Sequence, residues 1–526
     1  MEIAVCLGQK RETTMTQNKF NVRRYDNKQA LLLPPSVQDY LAKDDVAHVV
    51  DEVVEMIDLE PYYTKISPVG NPSYHPEMMI KIIFYGYVTG TRSSRKIEEK
   101  LHKDVGFIFL SGMQKPDFKT ISEFRRENHE LLKGTFKEIV RLCNDLGMID
   151  LKELSLDGTV MKGNASASRS YTEDALQKAI EECLEEAERI DREEDEKYGK
   201  DRRGNELPEG IRDPKERKKK LREAVEKMKK AQKALKKTGK KKINLTDEDA
   251  QFQKDKGKKF TLGYRAQVVV DSKGQVIVAQ DVTNEQADTK QLIPMVDKTL
   301  EIVEDLQGGE KDAEEPIKIS ADAGYSSGAN LAKLEEKHYG EKIDAYIPDS
   351  IYQGKQSGRR KESEFVKKFF TYEPEANEFI CPVGKRLQYV GTKDGRGDQK
   401  DHYYRCRDCK GCQYFGVCTK DRKGRTIRVG ENENLFLEMR EKLSMPEGKT
   451  IYSHRKKIVE PVFGNTKGNK GFIAFLLRGL KKVGGEFALM CIAHDLTKIV
   501  QHVRRLGMSV TEVLTARAML AQANTS

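Results

Sequence analysis

The chain has 526 residues, more than one hydrophobic core organises and enough for two to four domains. Hydrophobic residues make up 37% and charged residues 34%, so real cores lie beneath a very polar surface, and the formal charge of +10 favours an anionic partner such as nucleic acid. No run has the length and apolarity of a membrane span. The opening MEIAVCLGQKRETTM holds no long apolar core and no clear cleavage site, which argues against export and for a cytoplasmic protein.

Residues 1–150 read as an all-helical domain. Val46, Val49, Val50, Val53, Val54 and Ile57 recur at helical spacing. A second apolar run, MMIKIIFYGYVTG, ends in a glycine-bearing turn, and SSRKIEEKL then opens with serines able to cap a helix. Helix, turn and a helix with Arg92, Arg95 and Lys96 near its start fit a helix-turn-helix DNA reader; they fit an ordinary helical bundle with solvated arginines as well.

A strand is expected over 151–164, LKELSLDGTVMKGN, ending in Asp157 and a turn. Composition then shifts: residues 172–200 carry twelve acidic and five basic side chains, and residues 212–242 sixteen basic and four acidic. Leu176, Ile180, Leu184 and Ala187 form one apolar stripe, and Leu221, Val225, Met228 and Leu235 another, with Gly204, Pro208, Gly210 and Pro214 breaking the pattern between them. This is an antiparallel helical-hairpin insertion over 165–245. Its basic arm either touches phosphates or neutralises its acidic partner.

From residue 260 the pattern is that of strands. YRAQVVVDS and QVIVAQDVT are joined by a hairpin turn, a helix runs from about Ala287 to Leu306, and PIKISADAGY and DAYIPD give two further strands, the first ending in Asp322. The order describes an α/β domain with a mixed sheet, spanning 151–350 and 446–505. Residues 351–445 interrupt it with a polar, Cys-rich insertion, residues 452–505 return to helix with eleven Lys and Arg against three Asp and Glu, and 506–526 form a tail without a motif.

Phosphodiester chemistry with two Mg²⁺ ions needs hard oxygen ligands that converge on one point. Asp157 and Asp322 each follow an apolar strand and precede small residues, which leaves room for a metal or a DNA backbone; Asp at a strand end is also ordinary turn chemistry. Glu460, in YSHRKKIVEPVFGNTKGNKGF, is surrounded by His454, Arg455, Lys456, Lys457, Lys467 and Lys470. It is either a salt-bridge partner or a metal ligand among phosphate-binding cations.

Of nine cysteines, Cys6, Cys143, Cys183 and Cys491 are scattered, while Cys381, Cys406, Cys409, Cys412 and Cys418 cluster, the last four as C-x2-C-x2-C-x5-C. In a chain without an export signal this density reads as a structural Zn²⁺ site before it reads as disulfides, with five candidates for four positions; the alternative is a reduced cluster without metal.

LDGTVMKGNAS, ISADAGYSSGANL and RKKIVEPVFGNTKGNKGF together resemble the catalytic blocks of bacterial insertion-sequence transposases of the DDE class, in the group with a Tyr-Arg-Glu-Lys signature. NPSYHPEMMIKIIFYGYVTGTRSSRKIEEKL and PDFKTISEFRREN resemble the helical domain that precedes that core. The resemblance implies a ribonuclease H-like core with Asp157, Asp322 and Glu460 as catalytic, Mg²⁺- or Mn²⁺-binding acids, and Lys467 on phosphate at the transposon end. Glu460 and Lys467 keep the family's Glu-x6-Lys spacing, whereas Tyr452 and Arg455 lie one residue further from Glu460 than the signature expects, so Arg455 or Lys456 fills the cationic role. Asn284 and Asp288 resemble another recurrent pairing, with no role assigned. The implied reaction is hydrolysis that exposes a 3′-hydroxyl at the element's ends, then attack of that hydroxyl on target DNA by a homodimer on double-stranded DNA at the bacterial nucleoid. A DNA-binding protein without catalysis, and a ribonuclease H-like nuclease that cuts without joining, are the competing classes.

Overall fold

The computed structural model describes residues 36–66, 69, 72–198, 212–254, 260–307, 315–356, 365–394 and 400–525. Cys6, the segment read for export, and the breakers Gly204, Pro208 and Gly210 lie outside them. Met1–Ala42 is a unit of its own, of which one 3-10 turn, Val37–Tyr40, is described. Lys43–Ser526 forms the second unit.

Helices open the second unit. α1 (Val46–Glu55) starts where the Asp45 carboxylate accepts the Ala47 N–H at 2.8 Å, and its Val49, Val50, Val53 and Val54 stripe is buried. α2 (Glu60–Tyr63), α3 (Pro76–Val88), α4 (Ser94–Lys100), α5 (Val105–Leu110), α6 (Phe118–Glu127) and α7 (His129–Asp145) follow. Of the two helices read as a DNA-reading pair, α3 is a core helix, buried continuously from Met78 to Tyr87, while α4 is only seven residues long.

The central sheet is built from β1 (Glu153–Lys162), β4 (Gln251–Lys254), β5 (Phe260–Asp271), β6 (Ile277–Thr283), β7 (Ile317–Ala321) and β8 (Ile343–Tyr346). Its order is β4–β5–β1–β7–β8, with β6 on β5 beyond β4. β1, β5 and β6 are antiparallel; β1, β7 and β8 are parallel. Three meandering strands followed by two parallel ones make a mixed sheet. α10 (Leu292–Gln307) connects β6 to β7, and α11 (Gly328–Leu334) and α12 (Lys337–Gly340) connect β7 to β8. Between β1 and β4, the short strands β2 (Ser170–Tyr171) and β3 (Ile243–Asn244) pair at the base of α8 (Glu173–Tyr198) and α9 (Arg212–Thr238). These helices pack antiparallel through Leu176, Ile180, Val225, Met228 and Leu235, and Glu173 pairs with Lys236 at 3.1 Å. Leu184, expected in the stripe, is 44% exposed, and Pro214 sits in the first turn of α9.

β1 does not end at Asp157. It runs on to Lys162 because the long β5 pairs with it from Asp271 to Gly263, whereas β7 stops at Ala321 against Leu156. The helix after β6 starts at Leu292, later than expected, because Asp288–Lys290 form a 3-10 turn. Residues 351–445 hold more order than their composition suggests. After α13 (Ser350–Gln356), the strands β9 (Thr371–Glu373), β10 (Glu378–Ile380), β11 (Arg386–Asp394), β12 (Lys400–Arg405) and β13 (Thr426–Gly430) form an antiparallel sheet in the order β13–β12–β11–β10–β9. They are short and polar, so no apolar alternation announces them. α14 (Glu433–Ser444) and α15 (Pro446–Gly464) resume the helix before residue 452, α16 (Leu480–Leu506) packs on α3, α7 and β6, and the tail is helical as α17 (Val510–Thr525).

β5 passes close to β1 at Gly263, where a Cβ would stand 2.1 Å from the Met161 carbonyl oxygen and 2.6 Å from the Gly163 nitrogen. Both obstacles are backbone. Gly263→Ala is therefore expected to cost about 3 kcal/mol, the upper end of overpacking, read as a lowered denaturation midpoint; an unchanged midpoint contradicts the close approach.

Candidate active site

The parallel pairing of β1 with β7, strands about 4.8 Å apart, ends at Leu156 opposite Ala321, so Asp157 and Asp322 each directly follow a residue of the last pair. Asp157 is buried at 4% exposure; its Oδ1 accepts the Gly158 N–H at 2.8 Å. Asp322 lies in the turn after β7, where its Oδ1 accepts the Gly324 N–H at 2.7 Å. A Cβ on Gly324 would stand 2.8 Å from the Asp322 Oδ1, so a larger residue there would displace that carboxylate.

α15 lies across this end of the sheet, against β1, β5, β7 and β8. Alternation along β1 presents Glu153, Asp157 and Thr159 to it. His454 meets Glu153 at 3.4 Å, the Arg455 guanidinium meets the Asp157 Oδ2 at 3.4 Å, and the Lys467 Nζ donates to the Thr159 hydroxyl at 2.5 Å and the Val160 carbonyl at 2.9 Å. Glu460 is exposed on α15, five residues after Arg455 and seven before Lys467, which lies in the π-helical turn Asn465–Asn469 that follows the helix. Of the two candidates for the cation before Glu460, Arg455 is buried against Asp157 and Lys456 is exposed. Tyr452 carries Arg455 over its ring at 5.9 Å, and its hydroxyl accepts from Gln353 at 3.3 Å.

A further carboxylate reaches the same place. Asp288, in the 3-10 turn after β6, has its Oδ2 3.2 Å from a Cβ built on Gly324, the same Cβ that stands 2.8 Å from the Asp322 Oδ1. Arg265 binds one Asp288 oxygen, and the Gln267 amide donates to the other at 3.1 Å. The buried Tyr325 hydroxyl donates to Gln267, and burial together with Asp288, Asp157 and Asp322 pushes its pKa well up. Sequence reasoning found Asp288 only through a resemblance; the alternation of Arg265 and Gln267 along β5 was the available signal for a polar lining. Asn284 instead ties down neighbouring backbone, donating to the Asp249 carbonyl at 3.1 Å.

The remaining sequence candidates lie apart from these acids. Arg92 is turned inward, donating to the Ala474 carbonyl at 2.6 Å and resting on the Phe472 ring. Arg95 is exposed and lies over Phe118. Cys381, Cys406, Cys409, Cys412 and Cys418 line one small cavity in the insertion. Among the described residues, no three His, Cys, Asp or Glu side chains are grouped closely enough to hold a metal ion as they stand, and no helix is long and apolar enough to cross a membrane.

Two families match the chain. Residues 380–500 match a transposase DDE domain, a stretch that includes Glu460, Lys467 and the clustered cysteines, and residues 35–127 match a second transposase domain, which covers α1 to α6. No curated protein matches. Among solved structures, the cryo-EM structure of a piggyBac transposase synaptic complex with hairpin DNA aligns over 90% of this chain and 77% of that chain, at 9% identity and a TM-score of 0.29.

Proposed function

We propose that the chain is a DNA transposase of the DDE class, which binds the ends of its own insertion sequence, hydrolyses them to expose 3′-hydroxyls, and joins these to target DNA, with Asp157, Asp322 and Glu460 as its catalytic acids; the two transposase-domain matches support this reading. The observation that carries the assignment is the register of β1 and β7, which makes Asp157 and Asp322 neighbours beneath the helix bearing Glu460. The donor set fits Mg²⁺ or Mn²⁺: the carboxylates are hard oxygen ligands, and Asp157 already has a cation, Arg455, against it. Asp157, Asp322 and Glu460 would hold such ions, which would supply Lewis acidity for the phosphodiester chemistry.

The chain's own residues bind and orient the DNA. Lys467, held on β1 beside Asp157, directs its charge to a phosphate of the transposon end. Arg455 pairs with Asp157 and orients it, and on DNA binding its guanidinium serves the same backbone. Exposed Lys456 and Arg95 add sequence-independent affinity, and Tyr452 steadies Arg455. Pairing two ends needs at least a homodimer on DNA, acting at the nucleoid in the cytoplasm.

The test is a labelled duplex carrying the element's ends, incubated with the protein, target DNA and Mg²⁺. New 3′-hydroxyl ends that become covalently joined to target are expected. Cutting without joining replaces this reading with a nuclease, and binding without cutting under any divalent metal replaces it with a DNA-binding protein.

A further inference from the structure

The five clustered cysteines take no part in strand chemistry, yet they meet at one end of the β9–β13 sheet. Cys381 opens the turn from β10 to β11, and Cys406, Cys409, Cys412 and Cys418 lie in the connection from β12 to β13. All five line one cavity, and none is in a disulfide.

Two backbone N–H groups are aimed at sulfur by the same device. Gly384, at φ +79°, turns the chain so that the Lys385 N–H donates to the Cys381 Sγ at 3.3 Å. Gly424, at φ +93°, turns it so that the Arg425 N–H donates to the Cys409 Sγ at 3.2 Å. Gly424 is also fixed by space, since a Cβ would lie 1.9 Å from the Cys406 carbonyl oxygen. Donors directed at sulfur stabilise thiolate over thiol, and thiolate is the metal-binding form. Cys406 is the most buried of the clustered cysteines at 1% exposure, against 8% for Cys409 in the same apolar cluster, and its N–H is tied to the Arg425 carbonyl at 2.9 Å. The apolar core of this sheet is small, the situation in which a structural metal supplies the missing stability.

We propose that Cys381, Cys409, Cys412 and Cys418 bind one structural Zn²⁺ as a tetrahedral tetrathiolate, with Cys406 as a core residue beside it. The sulfurs ring the cavity without yet converging, and side-chain rotation closes them on the ion. Four Zn–S bonds form as four thiols release their protons to solvent, with no change of oxidation state.

The test is metal content of the full chain, purified reduced and without chelator. Elemental analysis is expected to give one zinc per chain in wild type and in Cys406→Ser, and a small fraction of that in Cys381→Ser and Cys409→Ser. Because a ligand variant can unfold the insertion, Co²⁺ is also exchanged into the wild-type protein, where the intense visible bands of a tetrahedral four-sulfur site are expected. A reduced wild-type chain that holds no zinc and takes up neither Zn²⁺ nor Co²⁺ overturns the site. Loss of zinc in Cys406→Ser with retention in Cys412→Ser overturns the ligand set. Neither readout uses DNA cleavage, so both are independent of the acids.

Discussion

Arg455→Ala is expected to destabilise the metal-free protein by about 3–5 kcal/mol, the scale of breaking a buried ion pair from one side. Arg455 is 6% exposed and Asp157 4%, with 3.4 Å between guanidinium and carboxylate. The Nε and Nη1 of Arg455 have no hydrogen-bond partner, so charge rather than hydrogen bonding at these atoms holds the guanidinium there. Removing it leaves a buried carboxylate facing the space where its counter-charge stood. Mg²⁺ binds the folded form and offsets that loss by mass action, so the variant's melting temperature should rise more on adding Mg²⁺ than the wild type's. Thermal melts of both proteins with and without Mg²⁺ check this. A variant as stable as wild type without metal, or one indifferent to Mg²⁺, contradicts the pairing of Arg455 with a metal-binding Asp157.

Glu460→Gln should behave in the opposite way. Glu460 is exposed on α15, and an isosteric surface change of this kind typically stays within about 0.5 kcal/mol. If Glu460 completes the metal-binding set, losing its charge removes several kcal/mol of transition-state stabilisation, and strand cleavage should fall about a thousand-fold or more at unchanged melting temperature. Single-turnover cleavage measured beside a thermal melt separates the two effects. A variant that cleaves at a rate within tenfold of wild type removes Glu460 from the site.

Much of this architecture is legible in the residues. The β-branched runs of β5 and β6 and the Leu-Ser-Leu before Asp157 are buried on both faces, so strand propensity and tertiary packing agree. The two Asp–small-residue steps mark where the parallel pairing of β1 with β7 stops. What periodicity missed depends on pairing across the chain. β1 continues past Asp157 because a distant β5 is long enough to pair with it, and nothing local to residues 157–162 says so. β9–β13 are three to nine residues long, and β11 is mostly exposed, leaving no alternation to read. The choice between Arg455 and Lys456 is one of helix phase: adjacent residues lie about 100° apart, and only contact with β1 decides which faces Asp157. Asp288 joins Asp322 around Gly324 only once α10 and β7 are packed, and Arg92, read as a DNA-binding or a solvated cation, is turned inward by Phe472 and the Ala474 carbonyl nearly four hundred residues away in sequence.

The central claim, that Asp157 and Asp322 hold the reaction's metal side by side, is tested most directly by Asp322→Ala against wild type on DNA carrying the element's own ends, with binding, cleavage and joining followed in one titration with Mg²⁺. The account predicts that the variant binds those ends as wild type does and neither cuts nor joins them. Cleavage by the variant at a rate near wild type would contradict it.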